Sequence, residues 1–447
     1  MFWKFAKKFQ FAAEKIIPDS FVFCIILTIV VYVLGLILTK SSPLQLVVYW
    51  YNGLWTMISF AFQMSFMVVV CGAAARAPQV KKFLTWLAKL PKSPSAAMVL
   101  LLIFGLLTSV INWAFSLIIT PILAMQLSKN VKGLHFPLMI ASGYAVMCLG
   151  QSLCPAASVY ALLATKGHFM EKTLGIMTQD ITTFNPVNVV TWIVLSVFTI
   201  IVIGFLTKPS PNEIVEYHGE TEGQTILTGE EKEKTIAEAM NGSKILMILI
   251  GISGIISIIY SFVKKGFLGS LDFNFIIFIF LTLNCFLYNT PKKFVKAIEE
   301  SMKPAAQVML QFPFYGGIMG IMSSSGLTAI LANALAKIST AATFPAVSYL
   351  SAAFINLFVP SQGGQWAVQG PVLVEASKQI GAHLPTVINA FVYGDEVTNL
   401  IQPLYVIPVL SLVNMKLKHV WGFMAFICVL WMIVTTICLL ILPGLML

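Results

Sequence analysis

Two acidic residues, Asp395 and Glu396, stand side by side in a long apolar stretch of this chain. A charge held at the depth of a bilayer costs about 2.5 to 3.5 kcal/mol even on lenient insertion scales, so a membrane segment rarely keeps one without a function for it. Repulsion between the two carboxylates and loss of their hydration favour protonation of one of them. The pair therefore predicts a binding site for a cation or a proton.

Oxygen-bearing side chains follow the acidic pair at helical spacing. Asp395 and Asn399 are four residues apart, as are Thr398 and Gln402, and each pair shares a face if the helix is continuous. Carboxylate, hydroxyl and amide oxygens are the ligands that a small hard cation selects. We predict a coupling-cation site at these four residues and Glu396, with Asp395 and Asn399 as the ligands if the ion is Na+. A purely structural acidic pair is the alternative.

The apolar stretch 344–378 is interrupted by the sequence Pro360-Ser361-Gln362-Gly363-Gly364-Gln365-Trp366. Proline has no amide hydrogen and paired glycines allow unusual dihedral angles, so the helix is expected to break here and to restart at Gln365. A helix N-terminus directs free N–H groups and a positive dipole end into the gap, which suits an anion. We predict an anion cradle at Ser361, Gly363 and Gly364. A Pro/Gly kink used for close packing is the alternative.

A second interrupted apolar stretch, 96–128, bends near Asn112 and Trp113. The Asn112 amide is predicted to donate to a carboxylate or to accept from a cation-bound water, with capping of the turn as the alternative. Trp113 and Trp366 would line an apolar part of the substrate cavity, unless they only pack or anchor the helices. Gln151 and Ser152 are predicted to bind the substrate as well. They belong to an uncharged segment of the first half that matches the acidic segment of the second half, so the two halves are not expected to carry equal sites.

No Lys or Arg lies near the predicted midplane of the membrane; Arg76 is at a helix end. A dicarboxylate or a phosphate would ordinarily need such a partner. A small monocarboxylate held by backbone and side-chain amides does not need a basic partner.

Composition places the chain in the membrane. Of its 447 residues, 58% are hydrophobic and 10% charged, with a mean hydropathy of +0.88, far from the values of soluble domains. A helix needs about 20 apolar residues to cross roughly 30 Å of hydrocarbon. Predicted spans are 20–38, 54–75, 137–164, 183–206, 244–263, 271–289, 304–324, 385–412 and 420–443. The stretches 96–128 and 344–378 are too long and too interrupted for one helix, and we interpret them as re-entrant hairpins.

The chain contains two similar halves. Ile111-Asn112-Trp113 matches Ile355-Asn356-Leu357, and Pro137 is as far from Pro155 as Pro385 is from Pro403. Weak internal symmetry of this kind is typical of secondary transporters. With hairpins that return to their side of entry, 21 of the 28 Lys and Arg residues fall on one side, which the positive-inside rule assigns to the cytoplasm. These segments are 1–19, 76–95, 129–136, 208–244, 290–303 and 413–419. The seven residues on the outside are Lys40, Lys166, Lys172, Lys264, Lys265, Lys337 and Lys378. An odd number of crossings then separates corresponding helices, so the repeats are predicted to be inverted.

The predicted architecture is an all-α polytopic membrane protein with inverted repeats, about nine to eleven transmembrane helices and two re-entrant helical hairpins. A basic amphipathic segment on the cytoplasmic surface comes first. The predicted divisions are 1–19 for that N-terminal segment, 20–206 for the first membrane repeat with hairpin 96–128, 207–243 for a polar cytoplasmic linker, and 244–447 for a linking helix and the second membrane repeat with hairpin 344–378.

Several function classes are disfavoured by the sequence. The seven cysteines lie in apolar segments and are predicted to be small core residues, without a disulfide framework or a metal cluster. The five histidines map to loops or span ends and form no HExxH motif, so we expect neither an enzyme nor a cofactor. The net charge of +10 is spread over short loops, which fits membrane orientation and not nucleic-acid binding. An anion channel stays open as a different class.

At these motifs the chain resembles the short-chain fatty acid transporter family of bacterial inner membranes, which includes acetoacetate and butyrate carriers. The resemblance runs over nearly the whole length. Its strongest stretches are Val110-Ile111-Asn112-Trp113, Gln311-Phe312-Pro313-Phe314-Tyr315, Val359-Pro360-Ser361 with Gly363-Gly364, Gln369-Gly370-Pro371, and Tyr393-Gly394 followed by Asn399 and Gln402-Pro403. The chain departs from the family pattern at Gln362, where a glycine is common, and at Glu396, which adds a second acid.

The resemblance implies a secondary active transporter that moves a small monocarboxylate across the bacterial cytoplasmic membrane, coupled to H+ or Na+. The wider ion-transporter superfamily implies an elevator-like movement and a homodimer, by fold-level analogy. An exporter or antiporter of a larger organic anion is the alternative. The N-terminus is expected in the cytoplasm.

Overall fold

The structure is a computed structural model that describes residues 20–207, 214–217, 235–303, 305–359 and 361–446. The predicted amphipathic segment 1–19, most of the linker 207–243 and Pro360 lie outside the described residues. All regular secondary structure in the described part of the chain is helical. This confirms the all-α prediction.

The described residues of the first half contain ten α-helices. Short segments extend two of them, a 3-10 turn at Trp55–Met57 after α2 and a π-helical segment at Ile200–Leu206 after α10. The helices are α1 (Ser20–Leu38), α2 (Pro43–Leu54), α3 (Ile58–Arg76), α4 (Pro78–Leu87), α5 (Pro94–Ile111), α6 (Trp113–Asn130), α7 (Phe136–Gln151), α8 (Ser158–Ala164), α9 (Glu171–Leu174) and α10 (Pro186–Thr199).

The second half and the segment before it contain twelve α-helices in the described residues. They are α11 (Ile236–Asn241), α12 (Lys244–Lys265), α13 (Phe267–Ser270), α14 (Phe273–Tyr288), α15 (Pro291–Ser301), α16 (Ala305–Ser325), α17 (Leu327–Lys337), α18 (Phe344–Asn356), α19 (Gln362–Ile380), α20 (Leu384–Asn399), α21 (Pro403–Leu412) and α22 (Leu417–Met446).

Six helical segments of the described chain are long and apolar enough to cross a membrane, and a seventh is possible if the bent pair α16–α17, which turns by 80°, counts as one span. The sides of these helices that do not pack against the protein carry many exposed Ile, Val, Leu and Phe side chains, as expected of helices in contact with lipid. The six are Phe21–Leu38, Pro43–Arg76, Pro94–Ile111, Pro186–Leu206, Ile236–Lys265 and Leu417–Met446.

Two predicted continuous helices are broken, and the predictions 137–164 and 385–412 are wrong in this respect. In the first half, residues 152–157 separate α7 from α8, and in the second half residues 400–402 separate α20 from α21. Pro155 and Pro403 explain both breaks, because a proline removes a backbone donor and its ring clashes with the preceding turn.

Both interrupted apolar stretches fold as helical hairpins. In the first, α5 and α6 pack side by side, since a Cβ on Gly105 would lie 3.3 Å from Thr120 Cγ2. Its two ends also meet, because a Cβ on Gly133 would lie 3.7 Å from Pro94 Cγ. In the second hairpin, Gln365 Nε2 on α19 donates to the carbonyl of Ala352 on α18 (2.9 Å). The second helix therefore packs back on the first in each case.

The two broken helices run antiparallel. Tyr144 on α7 donates its hydroxyl to the carbonyl of Asn399 on α20 (2.9 Å), and Asn389, further back on α20, donates to Tyr160 Oη on α8 (2.9 Å). Residue numbers thus rise along one helix where they fall along the other. This is the arrangement that inverted repeats require.

Equivalent positions of the two broken helices follow from their prolines. Pro137 and Pro385 both lie in the first turn, so Met147 matches Asp395 and Cys148 matches Glu396. In each half, a side chain of the hairpin donates to one of these backbone carbonyls. Ser109 Oγ in the first half donates to the carbonyl of Met147 (2.6 Å), and Asn356 Nδ2 in the second half donates to the carbonyl of Asp395 (2.7 Å).

Loop contacts group the loops into two sets. Gly133, at the base of the first hairpin, donates its N–H to Glu216 of the linker (2.7 Å), and Arg76 donates to Ser301 (3.1 Å). At the other end of the molecule, Thr165 follows the broken helix that starts at Phe136. On that side Phe273 donates its N–H to Thr165 Oγ1 and Lys378 donates to the carbonyl of Thr173.

Candidate functional site

Asp395 and Glu396 lie in the last turns of α20, and both side chains are buried, with 0% and 1% exposure. Gly394 just before them permits close contact with α18. A Cβ at that position would lie 2.3 Å from the carbonyl oxygen of Tyr349, a distance at which the helices would have to separate. The glycine thus sets the acidic pair directly against the second hairpin.

Glu396 is held by the first residue of α19. Gln362 Nε2 donates to Glu396 Oε1 (2.9 Å), while Gln362 Oε1 accepts from the backbone N–H of Val159 at the start of α8 (3.1 Å). A backbone N–H can only donate, so the orientation of the Gln362 amide is fixed with its nitrogen towards Glu396. One side chain therefore joins the acidic pair, the second hairpin and the helix break of the first half.

Asn356, the last residue of α18, holds the other side of the acidic pair by hydrogen bonds. Its Nδ2 donates to the carbonyl of Asp395 (2.7 Å) and to Asn399 Oδ1 (2.8 Å). Because a carbonyl only accepts, this also fixes Asn399, whose Nδ2 faces Asp395 Oδ2 (3.2 Å) and Glu396 Oε2 (3.4 Å). Of the four carboxyl oxygens, Asp395 Oδ1 alone is buried without a hydrogen-bond partner among the described residues.

The predicted spacing of oxygen ligands is confirmed for one pair and wrong for the other. Asp395 and Asn399 do contact each other across one helical turn. Thr398 and Gln402 do not form a pair, because α20 ends at Asn399. Thr398 Oγ1 donates to the carbonyl of Gly394 (3.2 Å), and Gln402 caps the next helix, accepting from the N–H of Tyr405 (2.9 Å).

The tip of the first hairpin is Asn112, in extended backbone between α5 and α6. Its Oδ1 accepts from the N–H groups of Ala114 (2.9 Å) and Phe115 (3.1 Å), so the capping alternative is correct for the oxygen. The amide nitrogen is buried and makes no hydrogen bond within the described chain. Beside it, Trp113 Nε1 donates to the carbonyl of Ala156 in the break between α7 and α8 (3.1 Å).

The break in the first half carries two further predicted residues. Ser152 is fully buried, its carbonyl accepts from Asn188 Nδ2 (2.9 Å), and its hydroxyl has no hydrogen-bond partner among the described residues. Gln151 Oε1 lies 3.5 Å from the hydroxyl of Tyr405 on α21. The Gln151 side chain thus lies where the two repeats meet.

The second hairpin restarts earlier than predicted, at Gln362 and not at Gln365, because Ser361 acts as the N-cap and accepts from the N–H of Gly364 (3.4 Å). The two glycines contact aromatic rings. A Cβ on Gly363 would lie 2.8 Å from Phe60, and one on Gly364 would lie 2.4 Å from Tyr315. Their Cα faces therefore serve close packing, the alternative considered for this motif.

Trp366 is fully buried, and its ring packs edge-on against Phe391 of α20 with the centroids 4.9 Å apart. Its indole nitrogen has no hydrogen-bond partner among the described residues. It belongs to the wall between the second hairpin and the acidic helix.

Sequence reasoning missed the roles of Asn356 and Gln362. The repeat match between Asn112 and Asn356 was an available signal for the first. No local pattern could reveal the contact of Gln362 with Val159, because the two residues are far apart in the chain. In the described residues no group of three or more His, Cys, Asp or Glu side chains could hold a metal ion. All seven cysteines are free and buried, which confirms their predicted place in the core.

Known proteins resemble this chain over nearly its full length. The family model for short chain fatty acid transporters matches residues 1–446. Two curated relatives, each named "Putative short-chain fatty acid transporter", come from Haemophilus influenzae and Escherichia coli. The first is 32% identical over 427 residues, covering 92% of this chain and 93% of its own length, and the second is 30% identical over 416 residues, covering 91% and 92%.

Among solved structures, the fold is similar to that of the YdaH transporter of Alcanivorax borkumensis, with a TM-score of 0.63 and 14% identity over 95% of this chain and 98% of that one. MtrF of Neisseria gonorrhoeae, described among antimetabolite efflux pumps, has a TM-score of 0.51 and 15% identity over 94% and 95% of the two chains. These structural likenesses concern the fold alone. The family match and the curated relatives, together with the membrane helices, show that the chain is a membrane protein and belongs to the short-chain fatty acid transporter family.

Proposed function

We propose that the protein is a secondary active transporter of small monocarboxylates such as butyrate or acetoacetate, coupled to H+ or Na+. The observation that carries the proposal is the buried acidic pair, Asp395 and Glu396, at the end of a broken membrane helix. Burying charge is costly unless it is paired or used. Within the described chain neither carboxyl forms an ion pair, and only neutral amides hydrogen-bond to them. A mobile cation is the partner that such a pair lacks.

The polar groups around the pair support a monocarboxylate as the substrate. The donors gathered at the two breaks are amides, a hydroxyl and backbone N–H groups, with no Lys or Arg among them. A substrate with two negative charges would leave one uncompensated in this setting. One carboxylate that moves together with one cation leaves no uncompensated charge.

The two hairpins support alternating access of the elevator type. Each hairpin packs on the broken helix of its own half, and Gln362 of the second half bonds to Val159 of the first half. Under this proposal the two hairpins and the two broken helices move together as a rigid body. Under this proposal the chain lies in the bacterial inner membrane with its N-terminus in the cytoplasm, works as a homodimer and contacts the surrounding lipid.

Uptake by proteoliposomes tests the proposal. Labelled acids of two to six carbons would be offered with Na+ and pH gradients imposed separately. We expect saturable accumulation of butyrate or acetoacetate under one of the two gradients. A response that is linear in substrate and independent of both gradients would indicate a channel and contradict the proposal.

The variant Asp395→Asn tests the coupling role. It keeps the size of the side chain but removes the charge, so gradient-driven accumulation should fall to background while exchange of labelled for unlabelled acid continues. Asp180→Asn, at an exposed aspartate, is the matched control and should transport as the wild type does. Full accumulation by Asp395→Asn would remove Asp395 from the coupling mechanism.

A further inference from the structure

Two amide side chains cap the starts of two helices from opposite repeats. Asn112 caps α6, which has 18 residues, and its oxygen accepts from Ala114 and Phe115. Gln402 caps α21, which has 10 residues, and its oxygen accepts from Tyr405. Backbone N–H groups can only donate, so both amide oxygens must face their own helices and both nitrogens must point away from them.

Both nitrogens are buried donors without an acceptor. Asn112 has 0% exposure and Gln402 has 1%, and neither Asn112 Nδ2 nor Gln402 Nε2 has a hydrogen-bond partner within the described residues. Folded proteins rarely leave a buried N–H unpaired, because it has lost its hydrogen bond to water and gained nothing in return. Two such donors at the starts of two neighbouring helices indicate an acceptor that arrives from outside the chain.

The two donors belong to one region of the protein. Helices α6 and α21 pack against each other. Gln151 lies between their ends: its oxygen is 3.5 Å from the hydroxyl of Tyr405, and a Cβ on the adjacent Gly150 would be 2.5 Å from Ser109 Cβ, one turn before Asn112. The positive dipole ends of both helices thus lie near Gln151, which adds a second attraction for an anion.

We infer that Asn112 and Gln402 bind the carboxylate group of the transported acid, each amide donating one N–H to it. The inference rests on the proposed function and deepens it. It also reassigns Gln402, which the sequence placed among the ligands of the coupling cation, to the anion. The oxygen that a cation would need is already committed to Tyr405, and the group that remains is a donor. Two neutral donors and two dipole ends match one carboxylate with its two oxygens.

Isosteric changes test the inference without removing either cap. Asn112→Asp and Gln402→Glu keep the oxygen that caps the helix, and aspartate is itself a favoured N-cap. Each change replaces the free N–H by a carboxyl oxygen, which repels the substrate carboxylate when it is ionised. We expect the dissociation constant of labelled butyrate, measured on the purified full-length protein, to rise about tenfold or more in each variant, the usual effect of losing a hydrogen bond to a charged group.

Two further variants separate binding from folding. Asn185→Asp is the matched control, because Asn185 caps α10 in the same way, its oxygen accepting from Val187 (3.0 Å), and this variant should bind butyrate as the wild type does. Asn112→Ser keeps a cap but loses the amide donor, so it should weaken butyrate binding without adding a charge.

The outcomes distinguish the inference from the function on which it rests. Wild-type binding of butyrate that Asn112→Asp and Gln402→Glu retain unchanged would overturn the inference alone. Failure of the wild type to bind any acid of two to six carbons would overturn the proposed function and the inference with it. Equal weakening by Asn185→Asp would show that any buried aspartate has this effect and would overturn the assignment to Asn112.

Discussion

Gln362 links the acidic pair to the other repeat by hydrogen bonds. Its orientation follows from the N–H of Val159, so it can only donate to Glu396. The same reasoning fixes Asn399 through Asn356. These amides surround three carboxyl oxygens with N–H groups, which stabilises negative charge on the pair without any basic residue.

Replacement of Gln362 by leucine should therefore destabilise the protein. The change leaves the N–H of Val159 and one oxygen of Glu396 buried without partners, at a cost of about 1–3 kcal/mol for each group. The midpoint of thermal unfolding in detergent should fall by several degrees. Gln379→Leu, at an exposed glutamine on the same helix, should leave it nearly unchanged. An unaltered midpoint in Gln362→Leu would mean that the bridge is not a stabilising contact.

Residue types alone identified part of this site. Asp395 was conspicuous because a charge in an apolar segment is costly, and its contact with Asn399 followed from helical spacing. Spacing failed at Gln402, because the helix stops before that residue is reached. The contact between Gln362 and Val159 depends on how the two repeats pack, which no local pattern reports.

At the scale of elements, both hairpins were visible in the sequence as apolar stretches interrupted by polar residues. The breaks within α7–α8 and α20–α21 were not recognised, although Pro155 and Pro403 marked them. Proline is tolerated in membrane helices where neighbouring groups satisfy the freed backbone, so its presence alone does not separate a kink from a complete break. Ser152 shows such satisfaction, since its carbonyl accepts from Asn188.

Close packing of α18 on α20 should depend on Gly394. In Gly394→Ala the new Cβ would meet the Tyr349 carbonyl at 2.3 Å, and relief of such a clash costs about 1–3 kcal/mol or more. We expect a lower unfolding temperature and slower uptake, because the acidic pair is displaced from the second hairpin. Gly444→Ala is the control: a Cβ there meets nothing within 4 Å, and alanine suits a helix better than glycine. Equal effects of the two changes would contradict the packing argument.

For the whole molecule, the loop contacts and the charge count group the loops in the same way. Gly133 contacts Glu216, and both lie in segments that the basic residues assign to the cytoplasm. Thr173 and Lys378, assigned to the outside, also contact each other. The inverted arrangement could be predicted because the distribution of Lys and Arg over the loops is visible in the sequence. The depth at which each hairpin ends could not be predicted, because it depends on packing.

Labelling of single cysteines should report this orientation. The native cysteines are buried and free, so a membrane-impermeant maleimide should react only at an introduced exposed site. In intact cells Lys166→Cys should be labelled, and Lys132→Cys should be labelled only after the membrane is permeabilised. The reverse pattern would place the N-terminus outside.

The difference between the halves has an energetic consequence. Met147 and Cys148 stand in the first repeat where Asp395 and Glu396 stand in the second, so each chain has one acidic site and not two. If one cation accompanies one singly charged acid under the proposed function, the cycle carries no net current. The membrane potential would neither drive nor oppose it, and the concentration ratio reached by the acid could not exceed the ratio of the coupling ion across the membrane.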